Sequence, residues 1–179
     1  MGGIMSIILQ GSTSGSITLQ EPAVAGTTVL TLPAVTGNVL TDTSPKVGNV
    51  LQVVSATYST QTSSTSASFT DTGLSVAITP TSSSSKILVC VTQQVRVTGT
   101  PSGGRINIVR GSTEVFTGSI VQLYTSGSDV RFMFAATYLD SPATTSSTTY
   151  KTQQYVNAGT IQTQESSSTS TITLLEIAG

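Results

Sequence analysis

Ile87-Leu88-Val89-Cys90-Val91-Thr92-Gln93-Gln94-Val95-Arg96-Val97 alternates with a period of two. Ile87, Val89, Val91, Val95 and Val97 fall on one face, and Thr92, Gln94 and Arg96 on the other. That is the pattern of a strand with one side in a core. A second run repeats it, with Val130, Phe132, Phe134, Ala136 and Tyr138 opposite Arg131 and Thr137. Outward from these two runs the same reading gives strands at 50–58, 74–79, 106–110, 114–124, 148–156 and 171–177. Turn clusters separate them: Ser82-Ser83-Ser84-Ser85, Pro101-Ser102-Gly103-Gly104, Ser126-Gly127-Ser128 and Ser141-Pro142. Eight strands at this spacing predict an all-β antiparallel sandwich, jelly-roll-like first and immunoglobulin-like second. No cysteine pair and no tryptophan supports the second option.

Composition agrees. Ser and Thr supply roughly a third of the 179 residues, and charged residues only 8%. Ser and Thr compete with the helical backbone for hydrogen bonds, and Thr is β-branched, so both favour strands and turns. A Ser-rich chain could be disordered, yet Leu, Ile, Val and Phe make up about a quarter of it, above the ~20% below which disorder is the default. The length suits one core-bearing domain and a short extension.

The same composition narrows function. There is no histidine, so a nucleophilic triad lacks its usual base, and zinc lacks its usual ligands. The carboxylates Asp71, Glu114, Asp129, Asp140 and Glu165 are scattered, and turn stabilisation accounts for them better than paired acid-base catalysis. The expectation is a protein that is not an enzyme, with no cofactor and no metal. A net charge of −1 with interspersed signs gives no basic field for nucleic acid or anionic membrane. No apolar run reaches the ~18 residues of a membrane span, and the first residues lack a basic signal region. Cys90 reads as a small packed hydrophobe. Charge-poor surfaces associate readily, which suits a subunit of an assembly.

The first 45 residues differ from the rest. Pro22-Ala23-Val24-Ala25-Gly26 and Pro33-Ala34-Val35-Thr36-Gly37 recur, each followed by Val-Leu-Thr, at Val29-Leu30-Thr31 and Val39-Leu40-Thr41. Such short strands need a support, so residues 1–47 are expected to dock or oligomerise and 48–179 to form the sandwich. Ile17, Leu19, Val29, Leu30, Leu32, Val39 and Leu40 are the candidate docking contacts. Leu88, Met133, Leu139, Leu175 and Leu123 or Val121 fall out of phase with the core, so a second face is also apolar and invites a subunit interface.

Gly15-Ser16-Ile17-Thr18-Leu19-Gln20, Gly26-Thr27-Thr28-Val29-Leu30-Thr31-Leu32-Pro33 and Gly37-Asn38-Val39-Leu40-Thr41 resemble a segment of tailed-bacteriophage fibre and virion structural proteins. The stretch from Phe69 to Pro80, followed by Ser85-Lys86-Ile87-Leu88-Val89, is similar to the opening of phage fibre-tip β-sandwiches. Ser170-Thr171-Ile172-Thr173-Leu174-Leu175-Glu176-Ile177 resembles their last strand. These pieces cover under half of the chain. The resemblance implies a virion component of a tailed bacteriophage, a homotrimer whose N-terminal segment docks to another virion protein (tail, baseplate or major capsid) while the sandwich projects; a host surface glycan is the expected outside partner. It implies no catalytic residues. A short fibre comes first, then a capsid decoration protein that stabilises the head; a free carbohydrate-binding module is the third class. The loop residues Thr100, Pro101, Ser102, Gly103, Gly104, Pro142 and Thr144 are the candidate receptor-facing positions. The tyrosines Tyr58, Tyr124, Tyr138, Tyr150 and Tyr155 read as packing residues before sugar platforms, and Arg96, Arg105, Arg110 and Arg131 as partners of Glu114, Asp129 or Asp140.

Overall fold

A computed structural model describes residues 6–10, 12–20, 46–99, 101–118, 123–127 and 129–179. The chain divides into two units, Met1–Val39 and Leu40–Gly179. In the first, β1 (Ser6–Gln10) and β2 (Ser16–Gln20) form an antiparallel hairpin that places Leu9 opposite Ile17 and Ile7 opposite Leu19. Ile8 and Leu9 are exposed on it. Two-stranded hairpins are marginal alone, so these side chains have something to gain from a partner surface. Val29, Leu30, Leu32, Val39 and Leu40 lie outside the described residues.

The described residues of the second unit form eleven strands: β3 (Val50–Tyr58), β4 (Thr62–Ser64), β5 (Thr70–Ile78), β6 (Lys86–Thr98), β7 (Ser102–Arg110), β8 (Thr113–Thr117), β9 (Leu123–Thr125), β10 (Asp129–Asp140), β11 (Thr148–Val156), β12 (Thr160–Thr163) and β13 (Ser170–Ile177). Four antiparallel pairs nest inside one another: β3 with β13, β5 with β11, β6 with β10, and β7 with β8. It is one long folded-over hairpin whose tip is the β7–β8 turn. Rolled up, it gives one sheet with the order β3-β13-β6-β10 and another with the order β5-β11-β7-β8. This is the jelly-roll winding of a β-sandwich. The short strands are additions. β12 follows β13 along the same edge of β6 and carries β4, while β9 follows β8 along the edge of β7.

The two alternating runs are the paired long strands β6 and β10, and their inward faces agree with the sequence reading. Ile87, Val89, Val91, Val95, Val97 and Phe134 are buried; Phe132 and Ala136 pack partly buried against them. Ile172 and Leu174 of β13 complete that layer, against Leu74, Ile78, Ile106, Ile108, Tyr150 and Val156 of the opposite sheet. Each such buried aliphatic side chain contributes about 1.5–3 kcal/mol.

Three expectations need correction. The stretch 114–124 is not one strand; β8 and β9 are separate, and both pair with β7. Ser102, Gly103 and Gly104 are not a loop tip but the buried start of β7. Gly103 N–H donates to Asn157 Oδ1 at 2.6 Å, and a Cβ on Gly104 would lie 3.1 Å from both Val97 and Ile161. Gly104 therefore makes room for core side chains rather than shaping a turn. Cys90 is half-buried and in outward phase, in register with Thr137 and Thr173.

Candidate interaction surfaces

The outer face of the β3-β13-β6-β10 sheet has three zones along the strands. At one end Val53, Leu175, Leu88 and Leu139 stand in a single register row across all four strands. Val53 is 56% exposed and Leu139 48%, with exposed Val50 at the same end. The middle carries two rows of small side chains, Ser55, Thr173, Cys90 and Thr137, then Thr57, Thr171, Thr92 and Ala135. These two rows hold no charged residue. The out-of-phase leucines of the sequence reading thus meet in one place. Met133 is exposed next to Gln94, Val121 lies outside the described residues, and Leu123 belongs to the opposite sheet.

The far end is closed by a four-charge network. Arg96 donates Nε and Nη2 to the two carboxylate oxygens of Asp129 (2.8 and 2.7 Å) and Nη1 to Glu165 at 2.9 Å. Arg131, directly opposite Arg96 in the register, donates Nε and Nη2 to Glu165 (2.7 and 3.0 Å) and Nη1 to Asp129 at 3.1 Å. Hydrogen bonds from Arg96 and Arg131 hold Asp129 and Glu165, respectively, below their ordinary carboxylate values, against a smaller opposing effect of desolvation. Asp129 was an expected partner of the arginines; Glu165 was not. A turn at Glu165–Ser167, with left-handed backbone at Gln164, Ser166 and Ser167, delivers it. Two carboxylates far apart in sequence are brought together, and two arginines neutralise both.

The outer face of the other sheet is built differently. Lys151 Nζ meets Asp71 at 2.8 Å, and Gln153 donates to the same carboxylate at 2.7 Å. Arg105, expected to pair with an acid, instead lies 4.7 Å from the ring centres of both Phe69 and Tyr155. Glu114 accepts from Asn107 and Thr117. Apart from Arg105, the charged groups named here are tied to polar partners, as on a solvated face, whereas the row from Val53 to Leu139 offers apolar surface.

At the end of the sandwich the β7–β8 turn faces the β10–β11 loop across a cleft of about 410 Å³. Its lining includes Arg110, Ser112, Pro142, Thr144, Ser147 and Thr148. Pro142 and Thr144 are where the sequence placed them, in a loop; Pro101 is exposed at a bend elsewhere, and Thr100 lies outside the described residues. Gly111, with φ +58°, opens the two-residue turn at the position where a II′ hairpin needs positive φ, and its N–H donates to Thr149 O at 2.8 Å. Arg110 Nη1 donates to Asp140 at 2.7 Å, and the Tyr150 hydroxyl donates to the same oxygen at 2.6 Å. Asp140 and Tyr150 are buried, so the guanidinium is anchored from below while its side chain stays 25% exposed. Burial, and then the bond to Asp140, pushes the Tyr150 phenol well above its ordinary value, which keeps it a donor. Tyr58, Tyr138 and Tyr155 are partly buried, and Tyr124 is exposed.

No protein-family model matches the chain, and no curated protein matches it. Among solved structures, it is similar to a chain in one described as "Structure of infectious bursal disease virus Gx strain", with 14% identity and a TM-score of 0.36. The match covers 92% of this chain and 43% of that one, so this chain spans less than half of the other's length.

Proposed function

We propose that this chain is a non-enzymatic structural component on the surface of a tailed-phage virion, a short trimeric fibre whose sandwich contacts the host. The observation that carries the reading is the apolar register row of Val53, Leu175, Leu88 and Leu139 on an outer sheet face that continues into uncharged Ser and Thr rows. The row and the two rows beside it carry no charge of their own, and exposed Lys86, two residues from Leu88 on the same face, flanks them. Covering each half-exposed side chain contributes about 1 kcal/mol. A closed ring of three repeats one such contact without leaving an open end. The resemblance of residues 15–41 to fibre segments gives the docking end, and several copies per particle would turn weak host contacts into firm attachment.

Light scattering on the purified protein should give the mass of a trimer; a monomer at micromolar concentration would overturn the assembly. Saturating protein should block phage adsorption, and no competition would remove the host-contact role. Antibody should label the tail of intact particles. Label on the head would replace the fibre with a capsid decoration protein, which works by binding the assembled shell.

A further inference from the structure

We infer that the cleft between the β7–β8 turn and the β10–β11 loop is a binding site for an uncharged saccharide, an inference that rests on the host-contact reading for its biological setting. The cleft is open to solvent, with about 410 Å³ between its walls, room for one or two sugar rings. The lining is hydroxyl-rich. Ser112 and Ser147 are exposed, and neither hydroxyl has a hydrogen-bond partner among the described residues. Thr144 Oγ1 accepts from Ser146 N–H and keeps its own proton to donate; Thr148 Oγ1 donates to Ser146 O and keeps its lone pairs to accept. A wall that both donates and accepts at neighbouring points matches the hydroxyls of a sugar ring.

Arg110 gives the site a fixed donor. Asp140 and Tyr150 hold it from the buried side, so little side-chain entropy remains to be lost when a ligand arrives. The same pairing decides the charge of the ligand. Asp140 balances the guanidinium at 2.7 Å, which leaves no net positive charge to attract a carboxylate or phosphate. Pro142 adds an apolar ring suited to the C–H face of a pyranose. With no aromatic platform among the lining residues, each site should bind weakly, in keeping with a multivalent particle.

The test is saturation-transfer NMR on the full chain with glucose, galactose, mannose and N-acetylglucosamine, and with glucuronic and sialic acids as charged controls. At least one neutral sugar should receive transfer. Ser112→Trp and Ser147→Trp, which fill the cleft from exposed positions without touching the core, should weaken that binding about tenfold or more, while Ser59→Trp on a remote exposed loop leaves it unchanged. Thermal unfolding of each variant controls for folding. No transfer to any neutral sugar overturns the assignment, as does binding of acidic sugars alone, or neutral binding that survives both cleft variants. If a neutral sugar binds in the cleft while the protein fails to block adsorption, the saccharide site stands and the host-contact reading falls.

Discussion

Gly73 sits in β5 with φ +84°, and a Cβ added there would overlap the Tyr58 ring. The strand bulges at this point: Asp71 pairs with Gln153 and Ser75 with Lys151, so three residues oppose Thr152 alone. Gly73→Ala should therefore cost about 1–3 kcal/mol, from left-handed strain and overpacking together. In a Tyr58→Leu background the added cost should shrink, and the two denaturation series form a double-mutant cycle that isolates the contact. Gln93 poses the opposite case. It shares the inward phase of β6 with the valines and is fully buried, yet neither amide atom finds a protein partner among the described residues. Gln93→Met keeps the volume and removes the desolvated amide, so the variant should gain about 1–2 kcal/mol in chemical denaturation. These two residues mark a limit of sequence reading. Alternation assigned the five aliphatic residues of β6 to the core, but polarity left Gln93 without a face, and nothing local told Gly73 from a turn glycine.

At the scale of the element, the last strand is fastened by a buried carboxylate. Glu176 is fully buried and accepts from Gln52 Nε2 at 2.6 Å and from the backbone and hydroxyl of Thr81, each at 2.7 Å. It ties β3 and the β5–β6 loop to β13. Burial pushes its pKa up, but the donors from Gln52 and Thr81 outweigh it and hold the group below its ordinary 4.5. A depressed folded-state value means that this contribution is complete above the unfolded value and is lost as pH falls through the folded one. Asp129 and Glu165 carry shifts of the same sign. Stability should then be flat from neutrality down to about pH 5 and fall below pH 4.5, with denaturation midpoints measured from pH 2 to 7 as the check. Glu176→Gln should cost roughly 2–3 kcal/mol at neutral pH, since hydrogen bonds to a charged group contribute about 1.5–3 kcal/mol, and should flatten the acid limb. The strands themselves were largely legible. β3 and β11 match their expected bounds, β6 runs one residue longer at each end and β13 one residue longer at its start, whereas β5 and β7 begin four residues earlier than expected. The short strands β4 and β12, Thr-Ser-Ser and Thr-Ile-Gln-Thr, were not legible, because they carry too few residues for a period to show.

At the scale of the whole molecule, the nested pairing explains why a jelly roll could be expected from strand count and spacing while its surfaces could not. Which outward residues become neighbours depends on register between strands distant in sequence. Leu88 and Leu175 are 87 positions apart yet adjacent across β6 and β13, so the apolar row existed in the sequence only as scattered out-of-phase leucines. For the same reason the hydroxyl-lined cleft was visible only through Pro142 and Thr144, with Arg110 and Ser112 arriving from the opposite turn. The assembly proposal makes a further prediction on this face. Val53 and Leu139 are about half exposed in a single chain, so Val53→Lys with Leu139→Lys should leave the fold of one subunit within about 0.5 kcal/mol of the parent. In an interface the same two ammonium groups would be buried without partners, at several kcal/mol each, enough to weaken association about 1,000-fold or more. Cys90 lies two residues along β6 from Leu88 on the same face and reports the outcome. A water-soluble maleimide should label it slowly in the parent trimer and rapidly in the double variant, with light scattering giving the subunit mass for the variant alone. A double variant that keeps both the trimer mass and slow labelling would move the contact to another surface, and the apolar row would then need a different partner.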